Sequence, residues 1–120
     1  MDKKALKRDY KETARPMGVF QIRNTLNGKV LVGTSVDLPA ILNRLRTQLS
    51  YGSHRNRELQ KDWNEQGADA FELSILDELP PSDKPVYDPA DDLRALEELW
   101  LEKLSPFEER GYNARPKAKE

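Results

Sequence analysis

The 120-residue chain has no cysteine, which excludes a disulfide frame and a thiolate metal site. It has a single histidine, His54, so a multi-histidine zinc centre is excluded as well. Any bound metal must rest mainly on oxygen ligands, which favours magnesium, manganese or calcium. Long apolar runs are also missing. The N-terminal stretch Met1 to Arg8 is basic, and no window approaches a membrane span, so the expectation is a cytoplasmic protein with no membrane partner. With 37% hydrophobic and 34% charged residues, a chain of this length supports one domain with a small core and a polar surface.

Charge is unevenly placed. Residues 1–66 carry 13 Lys and Arg against 7 Asp and Glu, a net of +6, whereas residues 67–120 carry 7 against 14, a net of −7. A basic surface for a polyanion beside a separate acidic region fits this split, and so does an internal match of the two halves.

The strongest local signal is a hairpin. Gly18 to Asn24 and Lys29 to Ser35 are rich in β-branched and aromatic residues, and they flank Thr25-Leu26-Asn27-Gly28, whose Asn-Gly pair suits a tight reversal with positive φ. Alternation puts Gly18, Phe20 and Ile22 on one face of the first strand and Leu31, Gly33 and Ser35 on one face of the second. The two glycines are expected at opposite outer ends of the ribbon, where a missing Cβ admits another backbone or a ligand.

Downstream, Asp37 caps a helix with Pro39 in its first turn, and Leu38, Ile41, Leu42, Leu45 and Leu49 recur at helical spacing. Tyr51-Gly52-Ser53 ends that helix and offers Ser53 as the cap of a second, Arg55 to Gln66, closed by Gly67. Only Leu59 and Trp63 give the second helix an inward stripe, so Arg55, Arg57 and Lys61 are left to solvent. Ala70 to Asp77 alternates Phe71, Leu73 and Ile75 against Glu72, Ser74 and Leu76, the pattern of a third strand with one buried face. Leu79 to Tyr87 is a breaker-rich loop. Asp88 and Pro89 then start a third helix that runs to Leu104, before Ser105-Pro106 and the turn Gly111-Tyr112-Asn113. The domain plan is a basic arm over 1–17, a folded unit over 18–113 and a flexible tail over 114–120. Its class is α+β, a small three-stranded antiparallel sheet flanked by three helices.

Few residues stand out chemically. On the third helix Leu93, Leu96, Trp100 and Leu104 form an apolar arc, and Glu97 falls inside it. A carboxylate aimed at a packed side needs an ion pair, hydrogen bonds or a cation, and pairing with an Arg of an earlier helix is the plain reading. His54 and Asn113 read by default as turn residues, and the hairpin glycines as strand-end kinks. Two helices joined by a Gly-containing turn, the second basic, also fit a helix-turn-helix, although a hairpin in front and a strand behind are unusual company for one.

In this order the elements resemble the GIY-YIG nuclease domain of phage homing endonucleases and of the bacterial excision-repair incision subunit. The resemblance covers about residues 18–113. Its motif words stand as Gly18-Val19-Phe20 and Leu31-Val32-Gly33, followed by Gly52-Ser53-His54 and Leu59-Gln60 on the second helix. Glu97, three residues before Trp100, and Asn113 of Gly111-Tyr112-Asn113, at the places of the family's metal-binding Glu and late Asn, complete it, and with His54 and Arg44 they make up the catalytic set that the resemblance implies.

The resemblance implies metal-dependent DNA hydrolysis, in which Glu97 holds Mg2+ or Mn2+ to stabilise the leaving group, a tyrosine helps to activate water and an arginine clamps the phosphate. The chain departs from this pattern where Phe20 and Leu31 replace the two tyrosines and Ile41 replaces the arginine. Arg44, one turn beyond Ile41, is the substitute clamp, and His54 is the substitute base. Arg44, Arg46, Arg55, Arg57 and Lys61 form the expected DNA-contacting set. The expected function is an impaired nuclease-family domain acting on DNA. The alternative is a non-catalytic nucleic-acid-binding or regulatory module with a nucleic-acid or protein partner.

Overall fold

The computed structural model describes residues 15–80 and 87–114. In chain order these form β1 (Met17–Asn24), β2 (Val30–Ser35), α1 (Leu38–Ser50), α2 (Arg57–Gln66), β3 (Phe71–Leu79) and α3 (Ala90–Leu104), with short 3-10 turns at Ala68–Ala70 and Glu108–Arg110. The sheet is antiparallel with order β2-β1-β3. The arm up to residue 14, most of the breaker-rich loop and the tail from residue 115 lie outside the described residues.

β1 is the central strand, and it is buried on both faces. Its Phe20 and Ile22 pack with Leu38, Leu45 and Leu49 of α1 and with Leu59 and Trp63 of α2. On the other face Val19 joins Val30 and Val32, which Leu96, Trp100, Leu101 and Leu104 of α3 cover. The sheet therefore lies between α1 and α2 on one side and α3 on the other. A central strand needs apolar residues on both faces, and the adjacent Val19 and Phe20 supply one each.

The hairpin register holds, with Gly18 opposite Ser35, Phe20 opposite Gly33 and Arg23 opposite Val30. In the connection Gly28 alone takes positive φ, at 79°, while Asn27 acts through its side chain, accepting the Lys29 N–H at 2.9 Å. The two glycines do not stand at opposite ends of the ribbon, because this register places both near its open end. At Gly18 a Cβ would lie 2.0 Å from the Asp77 carbonyl oxygen, and at Gly33 it would lie 2.6 Å from Phe20 Cζ. The missing side chains admit the β3 backbone and an aromatic ring, not a ligand.

β3 is longer than its alternation suggests, and it is not buried on a single face. A bulge on the β3 side shifts the register, so that Val19 faces Asp77 while Phe20 faces Ile75. Leu76 packs in the Val19 layer, so both faces of β3 carry apolar side chains, while Ile75, still opposite Phe20, is 40% exposed. The start of α2 also differs from the expectation. Ser53 Oγ donates to the Gln48 carbonyl at the end of α1, and Asn56 is the residue whose side chain caps α2, accepting the Leu59 N–H at 3.0 Å. His54 and Arg55 consequently sit in the inter-helix loop instead of on the helix. Asp37 caps α1 as expected and also pairs with Arg15.

Candidate functional site

On the α1 and α2 face of the sheet a cleft of about 520 Å3 is lined by Phe20, Leu31, Leu45, His54, Arg55, Asn56, Tyr112, Asn113 and Ala114. A second groove of similar size runs along α2 past Gly52, Arg57, Gln60 and Lys61, and His54 borders it too. The sheet supplies the floor of the first cleft, the inter-helix loop one wall and the segment after α3 the other.

That last segment is held by a buried polar network. The Tyr112 N–H donates to the Val30 carbonyl at 2.9 Å. The Tyr112 hydroxyl donates to Asp62 Oδ2 at 2.7 Å and accepts from Asn24 Nδ2 at 3.0 Å. Burial, with the Asp62 carboxylate adding to it, pushes the phenol up to about 12, so the hydroxyl keeps its proton and donates throughout the neutral range. Asn24 is fully buried, and its Oδ1 accepts the Leu26 N–H, which ties the network to the hairpin connection. The Lys29 ammonium lies 5.7 Å from the Tyr112 ring centre and pairs with Glu58.

Asn113 is committed in the same way. Its Oδ1 accepts the Val32 N–H at 2.8 Å and its Nδ2 donates to the Val32 carbonyl at 2.9 Å. One side-chain amide thus pairs with the outer edge of β2 as another strand would. Its place is in bracing the sheet edge, where both ends of the amide are already engaged.

The residues singled out from sequence divide between two regions. Phe20, Leu31, His54, Arg55 and Asn113 meet in the cleft. Ile41, partly buried on α1, packs against the core that contains Phe20. Arg44, Arg46, Arg55, Arg57 and Lys61 are exposed, and among the described residues none of them makes an ion pair. Glu97, Ile41 and Arg44 are not among the residues that line the cleft with Phe20 and Leu31. Glu97 lies on α3, whose Leu96 and Trp100 pack on the opposite face of the sheet.

Glu97 is half-buried and, among the described residues, has neither the arginine partner of the plain reading nor a hydrogen bond. Burial and the neighbouring Glu98 charge raise its pKa above the usual carboxylate value. Among the described residues no group of three or more His, Asp or Glu side chains could hold a metal ion. Sequence reasoning missed the capping role of Asn56, and it reached Gln60 only through the Leu59-Gln60 resemblance, not through its buried hydrogen bonds. Asn56 stands directly before a first turn containing Glu58 and three residues before the first inward leucine, which is the cap signal that Ser53 obscured. Gln60 carries no such signal, because a buried glutamine at a helical position looks like a solvated one.

The Intron-associated endonuclease 1 of Enterobacteria phage T4 is 36% identical to this chain over 96 residues, which make up 80% of the chain and 36% of that protein. The chain therefore spans about a third of that relative's length. Among solved structures, the catalytic domain of homing endonuclease I-TevI superposes with a TM-score of 0.68 at 34% identity, covering 83% of this chain and 99% of that one. A mutant of the catalytic domain of intron endonuclease I-TevI gives 0.67 at 34% identity, covering 82% and 92%. No protein-family model matches the sequence. No helix among the described residues is long and apolar enough to cross a membrane.

Proposed function

The chain belongs to the GIY-YIG nuclease family, and from that membership we propose that it is a DNA-contacting domain whose metal-dependent phosphodiester hydrolysis is strongly impaired. The observation that carries the reading is the floor of the cleft. Phe20 and Leu31 line it with carbon, and Ile41 is spent on core packing. None of the three offers a proton acceptor, a hydrogen bond or a charge for phosphate.

A positioned general base contributes roughly 10²- to 10⁴-fold, and one preorganised charge-stabilising donor about 10²- to 10³-fold. Taken as independent the losses multiply to about 10⁴- to 10⁷-fold, and groups acting as a unit lose less than that product. Arg44, one turn along α1 from Ile41 and exposed, is the cation on hand to bind phosphate in its place.

The Glu97 carboxylate, without a partner among the described residues, fits a hard cation held by one side chain, with water and substrate phosphate completing the shell, which is a common mode for Mg2+ and is open to Mn2+. When bound, such an ion neutralises charge on the departing oxygen. With no supporting carboxylates the affinity is weak. DNA contact is supported by Arg44, Arg46, Arg55, Arg57 and Lys61, which are exposed and make no ion pair among the described residues, a sequence-independent set suited to about three to five phosphates.

The same apolar floor favours a second reading, a non-catalytic nucleic-acid-binding module on this scaffold. Plasmid nicking separates the two. The triple change Phe20→Tyr, Leu31→Tyr, Ile41→Arg should raise nicking above the wild-type level with Mg2+ or Mn2+; because Glu97 stands outside the residues that line the cleft, adding Glu97→Ala tests whether a metal held there acts on the same phosphate, and loss of the gain supports it. Failure of the triple change to gain any activity supports the binding module. Efficient, Glu97-dependent cleavage by the unmodified chain refutes impairment.

A further inference from the structure

A neutral imidazole carries one N–H and one lone pair, and what each nitrogen faces decides which is which. In His54 the Nδ1 atom accepts the backbone N–H of Asn56 at 3.0 Å. A main-chain amide can only donate, so Nδ1 must keep its lone pair and the ring proton belongs on Nε2. In that tautomer Nε2 has no lone pair with which to take a proton from water, which removes the role of base from His54.

The geometry around the ring is fixed from several sides. The His54 N–H donates to Gln60 Oε1 at 3.0 Å, and the buried Gln60 uses its Nε2 to reach the Leu49 carbonyl at 2.9 Å. Asn56 makes three bonds in different directions. Its N–H goes to His54, its Oδ1 caps α2, and its Nδ2 donates to the Tyr112 carbonyl at 2.7 Å. The His54 loop is thereby tied to the segment that carries Asn113. Nε2 itself has no hydrogen-bond partner among the described residues, and His54 borders both the cleft and the groove along α2. Burial, and after it the Arg55 charge, lowers the pKa of the ring, so it is neutral at pH 7.

Resting on the DNA reading given above, we propose that Asn56 is a positioning residue that fixes His54 as an Nε2–H donor to a non-bridging phosphate oxygen of DNA laid across the two clefts. This hydrogen bond partly supplies what Ile41 cannot. It also explains why the loop is braced so heavily for a residue that does no proton transfer.

Because His54 is the only histidine, its tautomer can be read in the whole chain without assignment, from two-bond proton–nitrogen NMR. Wild type should show Nε2–H. Asn56→Ala loses the side-chain bonds but keeps the backbone donor, so it should show the same. Asn56→Pro loses the donor as well, and the φ of −79° at this position accommodates proline. In that variant a measurable Nδ1–H population should appear. An Nδ1–H ring in wild type, or identical spectra in all three proteins, overturns the proposal.

The phosphate contact is tested with a short DNA duplex at fixed salt. His54→Leu should weaken binding about 10- to 100-fold, the range for a hydrogen bond to a charged group. His54→Gln, which restores an N–H donor near the same place, should recover most of it. If the duplex binds wild type but Gln and Leu are equally weak, or neither differs from wild type, the donor role is wrong. If wild type binds no duplex at all, the DNA reading itself fails and takes this proposal with it.

Discussion

Replacing Asn113 tests whether it belongs to the scaffold or to the chemistry. Asn113→Ala deletes both bonds to Val32, at 2.8 and 2.9 Å. Each such bond contributes about 0.5–1.5 kcal/mol net, and leaving the N–H of the buried Val32 unpaired moves the loss toward the upper end of the combined range, about 1–3 kcal/mol. At roughly 4 °C per kcal/mol for a domain of this size, the melting temperature should fall by about 4–12 °C. Asn113→Asp sharpens the test. Its carboxylate still accepts the Val32 N–H but sets a second oxygen against the Val32 carbonyl, so it should be no more stable than Asn113→Ala. Thermal unfolding by circular dichroism, with duplex binding measured well below the transition, separates the two roles. A variant that melts like wild type yet has lost DNA binding or nicking refutes the brace and returns Asn113 to the reacting groups.

Three further outcomes follow from particular side chains. Glu97 has a folded-state pKa raised above its unfolded value, so the folded protein binds the extra proton and stability falls as pH rises from the ordinary carboxylate value through the raised one. Glu97→Gln should therefore melt higher than wild type at pH 7, lose that advantage in acid below both values, and abolish Mn2+ binding in calorimetry; unchanged binding refutes the ligand assignment. The double variant Arg55→Ala, Arg57→Ala should weaken duplex affinity and flatten its log-log salt dependence by about 0.9 for each phosphate that is no longer neutralised, and undiminished affinity places the DNA surface elsewhere. Gly33→Ala would put a Cβ 2.6 Å from Phe20 Cζ, an overpacking that costs about 1–3 kcal/mol; a melting temperature equal to wild type would show that the ring moves aside freely.

Much of this fold is legible because its signals are local. The hairpin follows from two β-rich runs and Gly28, and α1 from the Asp37 cap and a leucine repeat. What the sequence hides are features set by tertiary packing. The bulge opposite Val19 depends on β3 meeting β1, and the alternation of Phe71, Leu73 and Ile75 gives Ile75 the wrong environment. The cap of α2 is ambiguous because Ser53 and Asn56 are both good caps in isolation, and only packing of Leu59 chooses between them. The helical arc places Glu97 relative to its own helix, while the layer it joins is decided by which face of the sheet α3 covers. The network of Asn24, Tyr112 and Asp62 brings together three distant stretches whose residues look ordinary one at a time.

These interactions also separate what the scaffold needs from what catalysis needs. The Phe20 ring fills the space above Gly33, and that packing requires an aromatic six-membered ring without requiring a hydroxyl on it. Leu31 and Ile41 likewise contribute apolar area to the core on the α1 side of the sheet, where a tyrosine or arginine would have to send its polar end outward. The polar groups that do carry stability, in Asn24, Tyr112, Asn113 and Asn56, are satisfied by main chain, by one another or, for the Tyr112 hydroxyl, by Asp62, and truncating any of them leaves a donor or acceptor without its partner. A chain can thus lose its reacting hydroxyls and its clamp at little cost to folding, and it cannot lose the brace so cheaply. Glu97 is the exception, since a half-buried carboxylate with no partner among the described residues lowers stability at neutral pH. It contributes nothing to the packing that glutamine would not, which makes it the position where a metal-binding domain and a purely structural one predict opposite consequences of the same substitution.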